Sequence, residues 1–514
     1  MSPISRICAV LVLILFPFVS EATRIRPVPN PPAVRREPPP ADSHSYARPE
    51  QVVVRHMSLD LTVDFERTTL SGSVRLELEN LTGARELILD SDDLNISSVT
   101  YSDGSSAPFT LGASDPILGR PLTIAIRDDT SQVTIQYSTA RNASGVFWMS
   151  SAMTTDRQGP LLYTQNETIF ARSWIPSQDT PSTRLTYDAT IRVPPSLMAL
   201  MSAENPTSRS PEGIYRFRMP RSIPVYLVAL AVGNFEFRDL GEGVGVYAEP
   251  SVLERAAREL SDTAAMRATA ERLWGPYYWE RYDILVLPRG YHYSGMEHPR
   301  LTFVNPFFIT GDKSRIDLIA HELAHSWAGN LVTTANWNHM WLNEGITTYM
   351  ERRILEETYG ADFANGRGAA ALSALRDAVR NTALNGLDTR LRQSLEGDNP
   401  ERSFSIISYE KGYAFMRMLE ERLGRDSVDR FLRTYFREFG FQWMDSETFV
   451  AVLTREIPLS QEQIRELRIE EWIFSTGLPE NAPTFPSAVE SDVVDATFRA
   501  LLREMRHNRH RQAR

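Results

Sequence analysis

Near residue 250 the spacing of apolar residues in this chain changes, and the change limits the folds open to it. From Val52 the repeat is two: Met57, Leu59, Leu61, Val63 and Phe65 alternate with Ser58, Asp60, Thr62 and Asp64, and Val74, Leu76 and Leu78 continue it. A period of two puts one set of side chains on one face of a sheet, so this reads as antiparallel sheet with one buried face, continuing to about Phe237. From about Val252 apolar residues recur three and four apart, as in "LERAARELSDTAAMRATAERLWG", "ALSALRDAV", "YAFMRMLEERLG" and "SVDRFLRTYFREFG". That is the period of helices with one buried stripe. A strand-like run, "YDILVLP" (Tyr282 to Pro288), interrupts it. The expected fold class is α+β multidomain: a β domain over 49–238, then a mainly helical domain over 239–479.

The flanks differ from both. Residues 23–48 are rich in proline without periodicity and read as an extended linker with no core of its own. Ahead of them Arg6, the apolar run Ile7 to Val19 and the small-x-small Ser20-Glu21-Ala22 have the order of a signal peptide over 1–22. The run is short for a membrane span, so export to a periplasmic or extracellular space is expected in preference to an N-terminal anchor. The one cysteine, Cys8, lies in that run, so an exported chain is stabilised without disulfides. The net charge of −10 argues against nucleic acid as a partner.

The chemistry is concentrated in "AHELAHSWAGNLVTTANWNHMWLNEGITTY", from Ala320. His321 and His325, four apart, fall one above the other on a helix, off the apolar stripe of Ile316, Ile319, Leu323 and Trp327. Ser314 with Asp317 predicts the helix start and Gly329 its stop. Two imidazoles so placed can share one zinc, and a catalytic zinc takes a third protein ligand. Glu344, 19 positions after His325, sits where a second helix can return it. Glu322 is turned away from the ligand pair, where it reaches water, not metal. Glu351 shares the Glu344 face and is placed to orient a ligand from behind. His339 and His292 read as packing or hydrogen-bonding residues.

With these residues in view, "HELAHSWAGNLVTTANWNHMWLNEG" resembles the zinc signature of the gluzincin aminopeptidases, the family of aminopeptidase N. "YDILVLP", "GMEHPRLTFV", "GDKS", "SYEKGYAF", "EEWIFSTGLP", "TQNETIFARSWIPSQDTPSTRLTY" and "PVYLVALAVGNFE" are similar to its leukotriene hydrolase branch. The resemblance implies a saddle-like β domain before a thermolysin-like catalytic domain, with one zinc per chain. It implies His321, His325 and Glu344 as ligands, and hydrolysis of N-terminal residues from peptides by zinc-activated water with Glu322 as general base. Tyr409 would stabilise the oxyanion. Glu297 and Glu167 would hold a substrate's free amino group. Gln165, Gly295 and Met296 would line the site.

Some residues depart from the family pattern. Ser294 stands for a glycine and His298 for an asparagine in the amine-binding motif, which bears on pocket shape and pH response. Glu167 is an acid where the leukotriene branch has an amide. Phe404 and Glu401 replace its tyrosine and aspartate, which argues against lipid epoxide hydrolysis. Residues 480–514 read as a short tail in place of the family's C-terminal helical domain, with the expectation of an open cleft and weak preference for peptide length. A thermolysin-like endopeptidase, a lipid epoxide hydrolase and a non-catalytic peptide binder are the alternatives.

Overall fold

The two-residue alternation becomes long strands in the computed structural model, which describes residues 40–382, 386 and 388–484. The signal segment, most of the linker and most of the tail lie outside the described residues. Met57, Leu59, Leu61 and Val63 are buried along the strand Val52–Asp64, as the pattern predicts. That strand is central to a six-stranded sheet, flanked by Thr69–Asn80 and by Arg184–Arg192. The second of these pairings is parallel, so the expected antiparallel character holds for every ladder of this sheet but one. Smaller sheets of four and three strands complete the β domain.

Two expected boundaries move. The strand Glu236–Gly241 pairs with Val244–Ala248 in a five-stranded sheet, whose further strands are Tyr282–Val286, Thr302–Val304 and Gly295–Met296. It therefore belongs to the second domain, and the first ends ahead of Glu236, not at 238. The linker also ends earlier than Arg48. Asp42, His44 and Ala47 are buried; His44 Nε2 lies 3.0 Å from the Leu395 carbonyl and 3.1 Å from that of Asp398. In the other direction the His44 carbonyl accepts from Arg172 at 2.8 Å. This short segment is a clasp touching both domains.

In the second domain Tyr282–Val286 is buried on both faces, as a parallel strand between two neighbours requires. The Gly295–Met296 strand is the sheet's edge. The helical stretch from Pro250 divides into α1 (Pro250–Glu259) and α2 (Thr263–Trp274). Then come α3 (Asp317–Ala324) and α4 (Met340–Tyr359). Every residue of α4 from Met340 to Leu355 is buried, so it shows almost no amphipathic stripe. Its charged residues are paired: Arg352 donates to both Glu410 oxygens at 2.9 Å, and Arg353 to Asp429 at 2.9 and 3.1 Å. Removing one partner of such a buried pair typically costs about 3–5 kcal/mol. Among the described residues no helix is long and apolar enough to cross a membrane.

Candidate active site

The start of α3 differs from the predicted cap. The N-cap is Ile316, with no side-chain bond, because Ser314 turns its hydroxyl to Thr310 and Asp317 pairs with Arg367. The helix also stops early, at Ala324, with His325 as its C-cap. Turns then lead to Gly329, whose φ of +103° favours glycine. A side chain there would also collide with Asn343 Oδ1, 1.9 Å from the position of a Cβ.

His321 and His325 nevertheless converge. Their rings meet edge to face, with Nε2 atoms 3.1 Å apart. Glu344 Oε2, from the first turns of α4, lies 3.2 Å from one Nε2 and 3.5 Å from the other. Ligand atoms about 2.05 Å from a tetrahedral zinc stand about 3.3 Å apart, so these three separations fit one zinc ion. The donor set agrees, two imidazole nitrogens and a carboxylate oxygen facing one point. Burial opposes charge on Glu344, but the two imidazoles hold its carboxyl down to about 2.

Each ring is braced from behind. His321 Nδ1 lies 3.1 Å from Glu351 Oε2, the contact expected of that residue. His325 Nδ1 faces the Ala328 carbonyl and Asn343 Oδ1, each at 3.1 Å, and the Thr347 hydroxyl at 3.2 Å. The sequence reading missed Asn343 and Thr347. Their signal was position: they lie one residue before and three residues after the acid.

Glu322 is buried beside the ligands, and burial pushes its carboxyl up to about 8. Gly295 of the edge strand packs directly on it; a Cβ at Gly295 would sit 2.2 Å from Glu322 Oε1. Next along the chain, Glu297 Oε1 lies 4.0 Å from His325 Nδ1. Glu167 comes from the β domain, held through Asn343 Nδ2 at 3.3 Å. Glu401 steadies that loop by accepting from Thr168 N at 3.0 Å and its hydroxyl at 2.7 Å. Gln165 donates to the Met296 sulfur at 2.8 Å. Tyr409 lies over His321, ring centroids 5.9 Å apart and planes within 19°. It is held there by a contact between glycines, since a Cβ on Gly345 would lie 2.6 Å from Gly412 Cα and 2.8 Å from the Ser408 carbonyl. All eleven predicted site residues therefore meet in one place.

His339 and His292 do not join them. His339 bonds Ser446 at 2.9 Å, and His292 stands beside Phe147, ring centroids 6.1 Å apart. Phe404 packs half-buried against the core. His298 is buried edge-on to Phe303, ring centroids 4.7 Å apart.

The electrostatics are one-sided. Glu167, Glu297, Glu322 and Glu344 are all buried in this cavity. Burial raises Glu167 well above the ordinary carboxyl range, and the charges acting on it most, Glu297, Glu344, Glu401 and Glu322, raise it further. Glu297 Oε1 and Glu322 Oε2 have no hydrogen-bond partner among the described residues. Buried carboxylates in such number call for cations.

Comparison with known proteins gives the same picture. Residues 53–227 match the peptidase M1 N-terminal domain and 259–472 the peptidase family M1 domain. The chain is 36% identical over 457 residues to leukotriene A-4 hydrolase of Xenopus laevis, covering 87% of this chain and 75% of the relative. It is 34% identical to leucine aminopeptidase 2 of Yarrowia lipolytica, covering 92% and 74%. The solved structure of yeast LTA4 hydrolase in complex with bestatin superposes with a TM-score of 0.83 at 34% identity, covering 88% of this chain and 72% of that one.

Proposed function

This chain belongs to peptidase family M1 and is a zinc-dependent aminopeptidase, and from that premise we propose that it removes residues one at a time from peptides with a free amino terminus. The supporting observation is the excess of buried carboxylate: one divalent ion leaves two of four acids unbalanced, and a substrate ammonium supplies one further positive charge.

His321, His325 and Glu344 hold the zinc, which when bound supplies Lewis-acid charge to the peptide carbonyl and to the attacking water. Glu297 and Glu167 bind the ammonium group beside His325 and fix which peptide bond reaches Glu322. A Glu322 oxygen takes the proton of the attacking water and passes it to the leaving amine. The Tyr409 hydroxyl donates to the carbonyl oxygen as negative charge grows on it, a contribution typically of about 3 kcal/mol. Gln165 and Met296 form the wall for the first side chain, and Gly295 leaves room for the Glu322 carboxylate.

The test compares a peptide with its N-acetylated twin. Cleavage of the free amine alone is expected, and equal cleavage points instead to an endopeptidase. We also propose export through the segment 1–22, supported by Arg6, the apolar run to Val19 and the small residues after it. N-terminal sequencing of the protein from its own cells tests this; a chain still beginning at Met1 rejects it.

A further inference from the structure

Both amine-facing acids are tied to the surroundings of one metal ligand, His325. Glu167 is held by Asn343, whose Oδ1 lies 3.1 Å from His325 Nδ1. Glu297 is held by its main chain: its carbonyl accepts from Asn330 Nδ2 at 2.7 Å. Asn330 follows Gly329, whose positive φ turns the chain back after α3. Asn330 N then donates to the His325 carbonyl at 3.0 Å. One residue thus bridges the two, its main-chain N–H on the metal ligand and its side-chain amide on the amine anchor.

The loop carrying Asn330 is fastened from the β domain. Arg184, at the start of the strand Arg184–Arg192, donates to the Asn330 carbonyl at 2.8 Å and to the Ser222 carbonyl at 2.6 Å. It also donates to the Thr333 hydroxyl, which in turn donates to the Gly329 carbonyl at 2.8 Å. These bonds act on the main chain around Asn330 and would form with another side chain at that position. The amide itself is a different matter. Asn330 is 1% exposed, and its Oδ1 has no hydrogen-bond partner among the described residues. A buried polar atom left unpaired costs free energy, so stability of the fold does not account for an amide here. What the amide does is hold Glu297.

We infer that Asn330 is a positioning residue: its amide sets where the amine-binding Glu297 stands relative to the metal ligand His325, and so which peptide bond reaches Glu322. Glu297 Oε1 lies 4.0 Å from His325 Nδ1. In a peptide only the α-carbon separates the terminal nitrogen from the first carbonyl carbon, so an anchored ammonium leaves little slack at the reacting bond. A displacement of about 1 Å can cost about 100-fold in rate. This rests on the aminopeptidase reading.

The experiment measures kcat and KM for Leu-Ala-Ala and its N-acetylated twin, with zinc content alongside. The native full chain is compared with Asn330→Ala, Asn330→Ser and Thr333→Val. In Asn330→Ala zinc should stay at one per chain. Its kcat/KM on the free amine should fall by about 10–100-fold, mostly through KM, and the ratio of free-amine to acetylated turnover should fall with it. Asn330→Ser keeps a shorter donor and should lose less. Thr333→Val loosens the same loop without touching Glu297 and should keep the native ratio. A native ratio in Asn330→Ala, or an equal fall in Thr333→Val, overturns the assignment and leaves the aminopeptidase reading standing. So does an Asn330→Ala chain that no longer folds or binds zinc, since the amide then supports the metal loop. Equal cleavage of both peptides by the native protein, or cleavage of neither, overturns both.

Discussion

Glu351 stands directly behind His321, its Oε2 3.1 Å from the ring's Nδ1, while Nε2 of the same ring looks toward Glu344 and His325. A carboxylate in that position fixes the proton on Nδ1 and leaves the Nε2 lone pair for the metal. Glu351→Ala is expected to weaken zinc binding by about 10–100-fold. Competition with a chelator of known affinity measures it; unchanged affinity would show that the ring is oriented by packing alone.

In the proposed mechanism Glu322 does not hold the ion but serves by moving a proton. Glu322→Gln should retain one zinc per chain and lose about 10²–10⁴-fold in kcat. Metal analysis alongside a chromogenic aminoacyl amide assay reads both quantities. A fully active variant refutes the base assignment.

The two amine-facing acids differ in their other attachments. Glu297 Oε1 has no hydrogen-bond partner among the described residues, whereas Glu167 already accepts from Asn343. Glu297→Ala should therefore cost about 100-fold in kcat/KM on free-amine peptides, since a buried charge pair of this kind is worth about 2–5 kcal/mol, and Glu167→Gln less, about tenfold, because the amide oxygen still accepts from Asn343. The ratio of free-amine to N-acetylated turnover should fall with each. If it stays at the native value, the acids do not select chain ends.

His298 gives a pH dependence whose sign can be worked out. Burial pushes its imidazole down to about 3 from an ordinary 6.5, the Leu227 carbonyl offsetting a little. Below pH 6.5 the unfolded chain takes up a proton that the folded chain refuses. The stability present above pH 6.5 is therefore lost on acidification, at about 1.4 kcal/mol per pH unit toward pH 3. His298→Asn should remove this slope. Urea unfolding of the zinc-stripped proteins at pH 7, 6 and 5 compares them, and parallel profiles would show that His298 does not carry the effect.

Much of this was legible in the sequence where a periodicity or a spacing carried it. The alternation from Met57 to Val63 gave a true strand, and the spacings from His321 to Glu351 gave a true convergence. Boundaries were less legible, because they depend on partners distant in sequence. Glu236–Gly241 looks like a continuation of the β domain until its partner, Val244–Ala248, is known. Ser314 looks like a cap until Thr310 is seen to compete for its hydroxyl. Asn343 and Thr347 went unread because neighbours of a ligand acquire meaning only when a ring faces them.

The clasp at Asp42 and His44 sets a limit on how far the N-terminus can be shortened. Trimming that stops short of residue 40 leaves intact the stitch from Arg172 through His44 to the carbonyls of Leu395 and Asp398. A nick at Arg48 would cut the thread and leave two halves joined by fewer ties around a catalytic centre that draws Glu167 from one and its metal ligands from the other. Removal of the segment 1–22, as proposed above, would leave this clasp whole, whereas a cut within the ten residues before Val52 would sever it.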